Sequence, residues 1–331
     1  MDIKIKSSRL KNLLSYDWLK IVLSIVAGVV VWSLLFTTLG TRATVGEQFV
    51  FNVYGNVYTR ESTKNNDILN DLKTKGYFSY DVLSLSAETV SGAGQYSASY
   101  MLSLKMSTQE GDVMIISDGR AGEMKEDEDP TKDIKTVINA GYIYDMDKLL
   151  RDAGEYCDRF VSIDENGKAL LKEDVIEEYF LNTRMKSAGN YRKTFRTEAQ
   201  RQEGVALEKQ RISILYENYT YVIQAIEKAK AEDNDILWYG ELYNYDENGE
   251  IIEGSGESHP FGIDLYKLNQ SLDLEDETAP RVKDTWYTYA DGKTTDEGLV
   301  ACVFNFRSHQ PDLQYEVFAF LRYLIETYSE Y

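Results

Sequence analysis

From Ile21 to Leu39 the chain carries no charged side chain and nothing more polar than serine and threonine. An α-helix rises about 1.5 Å per residue and a bilayer's hydrocarbon core is about 30 Å thick, so roughly 20 such residues suffice to cross it. Trp18 and Trp32 add amphipathic rings of the kind that settle near a membrane interface. The pattern predicts a transmembrane helix over 18–39, and it constrains everything else: the chain is a short tail, 1–17, an anchor, and one long domain, 40–331. Lys4, Lys6, Arg9, Lys11 and Lys20 precede or enter the run against Asp2 and Asp17, whereas only Arg42 follows it before Glu47. Basic residues are retained on the cytoplasmic side, so the tail is expected in the cytoplasm and the domain outside, at the cell membrane. The apolar region of a cleaved signal peptide is usually about 7–15 residues. This one is longer and has no small-x-small site directly behind it, which favours an uncleaved signal anchor.

The formal net charge of −19 is at odds with nucleic-acid binding and with lying flat on anionic lipid. Cys157 and Cys302 are the only cysteines. Outside the cell they could pair across a long loop, but each also reads as a small buried apolar residue, the reading preferred here. His259 and His309 are the only histidines and lack metal-ligand spacing, so neither a metal nor a cofactor is expected.

Beyond the anchor, Gln48–Tyr54 is rich in β-branched and aromatic residues and predicts a strand. Ile68, Leu69 and Leu72 predict a helix over 63–73, and alternation predicts a second strand over 80–86. Tyr100, Met101 and Leu104 mark a helical stripe within 97–108. Val113-Met-Ile-Ile-Ser117 then reads as a strand buried on both faces. A β-α-β-α-β order implies a mostly parallel sheet with its ligand crevice beyond the carboxyl ends of the strands. The candidate ligand-binding residues follow from those ends: Tyr58 and Thr59 after the first strand, Ser86 and Glu88 after the second, Ser117 and Asp118 after the third. Tyr142 joins them as one of several tyrosines suited to lining a pocket.

Residues 123–135 are charge-dense and read as a surface loop. From 172 to 235 the pattern is mainly helical, so 151–260 reads as a helical insertion or a reduced second lobe. Arg184, Lys186, Arg192, Lys193, Arg196, Arg201, Lys209 and Arg211 make its first half a basic island in an acidic domain. A solvated, ion-paired helix explains it best; a docking face for anionic headgroups or wall polymers is the alternative. Asn248-Gly249 signals a hairpin between 236–244 and 250–252. Strands are expected over 261–266 and 299–304, and an amphipathic helix over 313–328 closes the chain.

The opening strand–helix–strand, the joint Gly111-Asp112-Val113, the phrase Gly141-Tyr-Ile-Tyr-Asp-Met-Asp-Lys-Leu-Leu150, Phe261-Gly-Ile-Asp-Leu265 and the closing strand and helix together resemble an extracytoplasmic solute-binding protein. That resemblance implies a divergent α/β domain with a reduced second lobe, capturing a small solute such as a sugar in a cleft, with a transporter permease as partner. No ligand residue is carried over from the family. The other reading keeps the fold without a ligand, as a structural or signalling partner in a cell-envelope complex. Gly-x-Ser-x-Gly, His-Glu-x-x-His and phosphate-cradling loops are missing, so no enzyme is expected.

Overall fold

The computed structural model describes residues 18–39, 47–61, 64–90, 95–119, 132–187, 194–242, 244, 252, 256–272, 278–290, 292–307 and 310–331. They divide into two compact units, Met1–Thr44 and Val45–Tyr331. In the first, α1 (Trp18–Leu39) is a 22-residue helix. Its described side chains, 22–32, are all exposed. Among the described residues no helix is long and apolar enough to cross a membrane. The helix expected over 18–39 is present, and its passage through a bilayer is not shown.

The second unit is α/β. Its central sheet has six strands in the order β3-β1-β4-β11-β8-β7. These are β1 (Gln48–Tyr54), β3 (Ser84–Val90), β4 (Val113–Ser117), β7 (Leu237–Leu242), β8 (Glu257–Asp264) and β11 (Leu299–Val303). β1 pairs in parallel with β3 and with β4, in registers Gln48↔Ser84 and Phe51↔Val113. The helices α2 (Lys64–Lys75) and α3 (Gln95–Thr108) make the two crossovers. The parallel arrangement expected from the β-α-β-α-β order is therefore found in this half. The sheet as a whole is mixed, because β11, β8 and β7 continue it antiparallel. β7 and β11 enter after long excursions, where no short crossover dictates their direction, and β8 returns directly alongside β7.

Two expectations along the parallel half are corrected. β3 begins four residues later than the 80–86 predicted, because polar partners hold the preceding residues in a turn. Val82 N–H bonds Ser79 O at 3.2 Å, and Asp81, 3% exposed, points into an ion-pair network. Among the described side chains of α3 the buried ones are Leu102 and Lys105, while Tyr100 and Leu104 are 69% and 44% exposed. The Lys105 ammonium bonds the Glu88 carboxylate on β3, so a charged side chain faces the sheet where Tyr100 and Leu104 were expected to.

Side chains alternate across the sheet. One face places Phe49, Phe51, Val53 and Ile115 in the larger core, under α2, α5 (Met146–Phe160), α7 (Glu198–Ala231) and α8 (Val317–Tyr328). The other places Tyr54, Met114, Ile116 and Val300 under α3 and α4 (Lys132–Asn139). β4 is buried on both faces, as its uninterrupted apolar run requires. Cys157 and Cys302 are free, buried thiols in these two different cores, on opposite faces of the sheet.

The middle of the chain is helical, as predicted, and its residues Ile176, Ile212, Leu215, Val222 and Ala225 enter the same core as the sheet. α6 (Glu173–Tyr179) runs into a π-helical turn, Phe180–Arg184, and α7 opens on a capping box formed by Thr197 and Gln200. A small antiparallel pair, β5 (Val161–Ile163) with β6 (Ala169–Leu171), precedes them. The hairpin expected about Asn248-Gly249 falls mostly outside the described residues, as does most of the loop 123–135. Its last residues begin α4.

The basic island is corrected at both ends. Arg184 and Arg211 are 5% and 1% exposed and lie among Asp81, Glu208 and Asp312, with the tyrosines Tyr156 and Tyr179 beside them. Lys209 pairs with Glu173, and Arg201 with Glu198 at 3.7 Å. Burial pulls the Asp312 carboxyl upward, but Arg211 and Arg184 with the two tyrosine hydroxyls outweigh it and hold it below the usual range. Asp81 is raised, by burial first, against the pull of the same two arginines.

Glu316 lies at the edge of this network and accepts from both the N–H (3.2 Å) and the hydroxyl of Ser79. Burial raises its carboxyl from 4.5 to about 7, the Ser79 bond and Arg211 opposing. Burial likewise lifts Asp112 to about 6 despite Arg307 at 2.9 Å. An acid raised on folding takes up protons that the unfolded chain has already lost. Its contribution is complete below the unfolded value and disappears as pH climbs through the folded one. Stability should therefore fall between about pH 5 and pH 7, with Glu316 accounting for at most about 3 kcal/mol. Glu316→Gln should flatten that slope in urea titrations at pH 5 and 7.5. A slope unchanged by the substitution would refute the assignment.

Candidate binding face at the carboxyl edge of the sheet

Because β11 runs against β4, the pair Leu299↔Ser117 brings the start of β11 to the carboxyl edge of the parallel strands. The chain reaches that point through a second, three-stranded sheet, β10-β9-β2, of β2 (Tyr58–Thr59), β9 (Trp286–Ala290) and β10 (Lys293–Thr295). β2 follows the end of β1 after Gly55, whose φ of 70° turns the backbone sharply. The small sheet is thus built from the connections at the edge where the ligand crevice was expected.

Its two faces differ. Trp286 is 0% exposed and packs edge-on to Phe51 with ring centroids 6.1 Å apart; its Nε1–H donates to Asn65 Oδ1 at 3.1 Å. Tyr287 and Tyr289 alternate with Trp286 and so share the outer face. Tyr58 pairs directly with Tyr287 across the strands. The three rings form a closed triangle, with centroids 5.7 Å (Tyr58–Tyr287), 5.4 Å (Tyr58–Tyr289) and 5.5 Å (Tyr287–Tyr289) apart. Tyr58 and Tyr289 are 41% and 45% exposed. Arg60 lies over the Tyr287 ring at 5.4 Å and near Asp284 at 4.0 Å. The Tyr287 phenol is raised from its ordinary value by its hydrogen bond with Tyr289, then by burial, with Arg60 opposing. Three mutually packed rings held on a backbone tied to the core make a rigid platform. It offers flat apolar faces ringed by hydroxyls and a guanidinium, with little entropy to lose on binding.

The other predicted site residues scatter. Thr59 accepts from Asn65 Nδ2 at 3.4 Å, on the inner side of the same small sheet. Ser86 and Glu88 were expected beyond the second strand and instead lie inside β3, opposite Val50 and Asn52. Ser86 is half-buried and Glu88 is held by Lys105. Ser117 ends β4, its hydroxyl accepting Gly119 N–H at 3.1 Å.

Asp118 was expected to be a free loop position, and it is scaffold. It is 3% exposed, accepts Trp238 Nε1–H at 3.0 Å and donates its own N–H to Gly298 O at 2.7 Å. A Cβ at Gly298, where φ is +75°, would stand 2.4 Å from Asp118 Oδ1, so the two positions are matched. Asp118→Ala leaves a buried indole N–H without its acceptor and should cost about 2–3 kcal/mol, approaching a core truncation such as Ile115→Ala at roughly 2–5. Urea denaturation of the two variants side by side checks this. A loss under about 1 kcal/mol would return Asp118 to the surface class.

Tyr142 is at the wrong edge. Its carbonyl accepts Asn305 N–H at 3.0 Å and its ring meets Phe306 at 6.0 Å, just past the end of β11, which pairs with the start of β4. Five strand residues, about 16 Å, separate that end from Ser117. The platform residues that sequence reasoning missed, Tyr287 and Tyr289, carried a usable signal. Trp286-Tyr-Thr-Tyr-Ala290 alternates and is followed by Asp291-Gly292, a strong hairpin dipeptide, and then by a second β-favouring run. No family model matches this chain, and neither a curated protein nor a solved structure proves similar to it.

Proposed function

We propose that this chain is a single-pass, membrane-anchored extracytoplasmic binding protein, with its N-terminus in the cytoplasm and the tyrosine platform as its ligand face. The observation that carries the binding reading is the exposed Tyr58–Tyr287–Tyr289 triangle at the carboxyl edge of the parallel strands. A cluster of aromatic rings on an otherwise solvated strand face is the kind of exposed patch that marks a binding surface. Sugar rings present C–H faces that stack on phenol rings and hydroxyls that bond the rim, so a small neutral sugar fits best. The uncharged run 21–39 and the basic residues before it support the anchor and its orientation. A permease or another envelope protein would then receive the captured solute. The reading is non-catalytic.

Titration of the full chain with neutral mono- and oligosaccharides should raise its melting temperature by mass action. Tyr58→Ala and Tyr289→Ala should each weaken binding at least about tenfold, or about 1.4 kcal/mol, while stability moves by no more than about 1 kcal/mol. No response to any sugar would end the solute reading and leave the same tyrosines as a contact for an envelope protein. Protease added to intact cells tests topology separately: a protected C-terminal domain would reverse the orientation.

A further inference from the structure

Strand β3 is one of the two edges of the six-stranded sheet, and among the described residues nothing pairs with its outer side. The bond from Gly55 N–H to the Val90 carbonyl (3.3 Å) turns Val90 toward β1. Backbone groups alternate along a strand, so Leu85, Ala87 and Thr89 present their N–H and C=O groups away from the sheet. Proteins usually blunt such an edge with bulges, prolines or lysines, because it templates the addition of another strand. The opposite edge follows that rule: β7 breaks register between Trp238 and Tyr239. β3 does not. Ser84-Leu-Ser-Ala-Glu-Thr-Val90 stays in register with β1 throughout, holds no proline or lysine, and has its one charge, Glu88, tied down by Lys105.

Beside the start of this edge is a hollow of about 270 Å³ whose apolar walls are Leu72, Phe78, Val82, Leu83 and Leu85. Leu83 is 55% exposed there. Among the described residues, Lys73 is the only charged one lining the hollow. Leu85 and Ala87 lie on the same face of the sheet as the hollow, packed against the larger core. A strand added about 4.8 Å outside β3 would place every second side chain on that face, the one beside Leu85 entering the hollow.

We propose that the β3 edge receives an extended segment of a partner protein, apolar at alternate positions and carrying an acidic residue for Lys73, as a seventh strand. The unpaired backbone groups demand an extended main chain, the hollow selects an apolar side chain, and Lys73 supplies complementary charge in an otherwise acidic molecule. This surface is separate from the tyrosine platform, so the inference stands or falls independently of the sugar reading.

The probe is a capped hexapeptide alternating valine and threonine and ending in aspartate, added to the full chain. Its binding should slow amide hydrogen exchange at Leu85, Ala87 and Thr89 at least tenfold and leave the inward amides of Ser86 and Glu88 unchanged. Leu83→Asp and Lys73→Glu, both at the hollow and outside the core, should each weaken the peptide at least tenfold. Uniform or absent protection, or an affinity indifferent to both substitutions, would overturn the proposal. So would a free chain that protects the same three amides in a concentration-dependent way, since a second copy would then occupy the edge. Neither substitution should alter sugar binding.

Discussion

Arg211→Ala should destabilise the α/β unit by about 3–5 kcal/mol, a large part of the roughly 5–15 kcal/mol that holds a typical domain together. The guanidinium is 1% exposed. It donates to Glu208 Oε1 from Nη2 at 2.7 Å and from Nε at 3.0 Å, to the Tyr156 hydroxyl at 2.6 Å and to Asp312 Oδ1 at 3.3 Å. Arg184 alone would then face three carboxylates: Asp81, Glu208 at 3.5 Å and Asp312 at 3.2 Å. The damage comes less from the lost attraction than from the buried negative charge left behind. A double replacement, Arg211→Met with Glu208→Leu, removes one charge of each sign and should recover much of the loss. Urea denaturation of the two variants decides between these accounts. If the single and double variants are equally impaired, side-chain shape and not charge balance is what Arg211 supplies.

Trp286→Ala should cost a similar amount, about 3–5 kcal/mol, and should also abolish the sugar binding proposed for the tyrosine platform. The indole is the link between the small sheet and the core: its ring meets Phe51 and Tyr328, each with centroids 6.1 Å away, and its N–H bonds Asn65. Tyr287 and Tyr289 follow it on the same strand, so their placement depends on it. Trp286→Phe keeps most of the contact area and loses one hydrogen bond, about 1 kcal/mol, and should retain binding. Binding of sugar by a folded Trp286→Ala chain, measured well below its melting point, would show that the platform is not positioned by this residue.

Local pattern was enough for much of the scaffold. The bounds of β1 and β4 are those predicted, because Gln48–Tyr54 and Val113–Ser117 are saturated with β-formers and meet sharp breakers. The helical stretch and the closing helix were legible from periodicity, a short-range property, although the closing helix begins at Val317, four residues later than predicted, after a separate short helix Pro311–Gln314. The start of β3, the face of α3 and the role of Asp118 were not. Each is decided by a partner far along the chain: Arg184 for Asp81, Glu88 for Lys105, Trp238 for Asp118. A charge in sequence reads as solvated, and only a tertiary neighbour can bury it.

What the sequence by itself determined is the uncharged run 21–39, the β-α-β-α-β order and hence the parallel direction of β1 with β3 and β4. What the tertiary structure decided is which tyrosines come together. Tyr58 is separated from Tyr287 and Tyr289 by more than 220 residues, yet strand pairing sets their rings within 6 Å. Tyr142, by contrast, is carried to the opposite edge by the antiparallel return of β11. Periodicity reports which face of an element is buried. Which elements converge is set by packing a whole core, and that information is spread over the chain rather than written at any one residue.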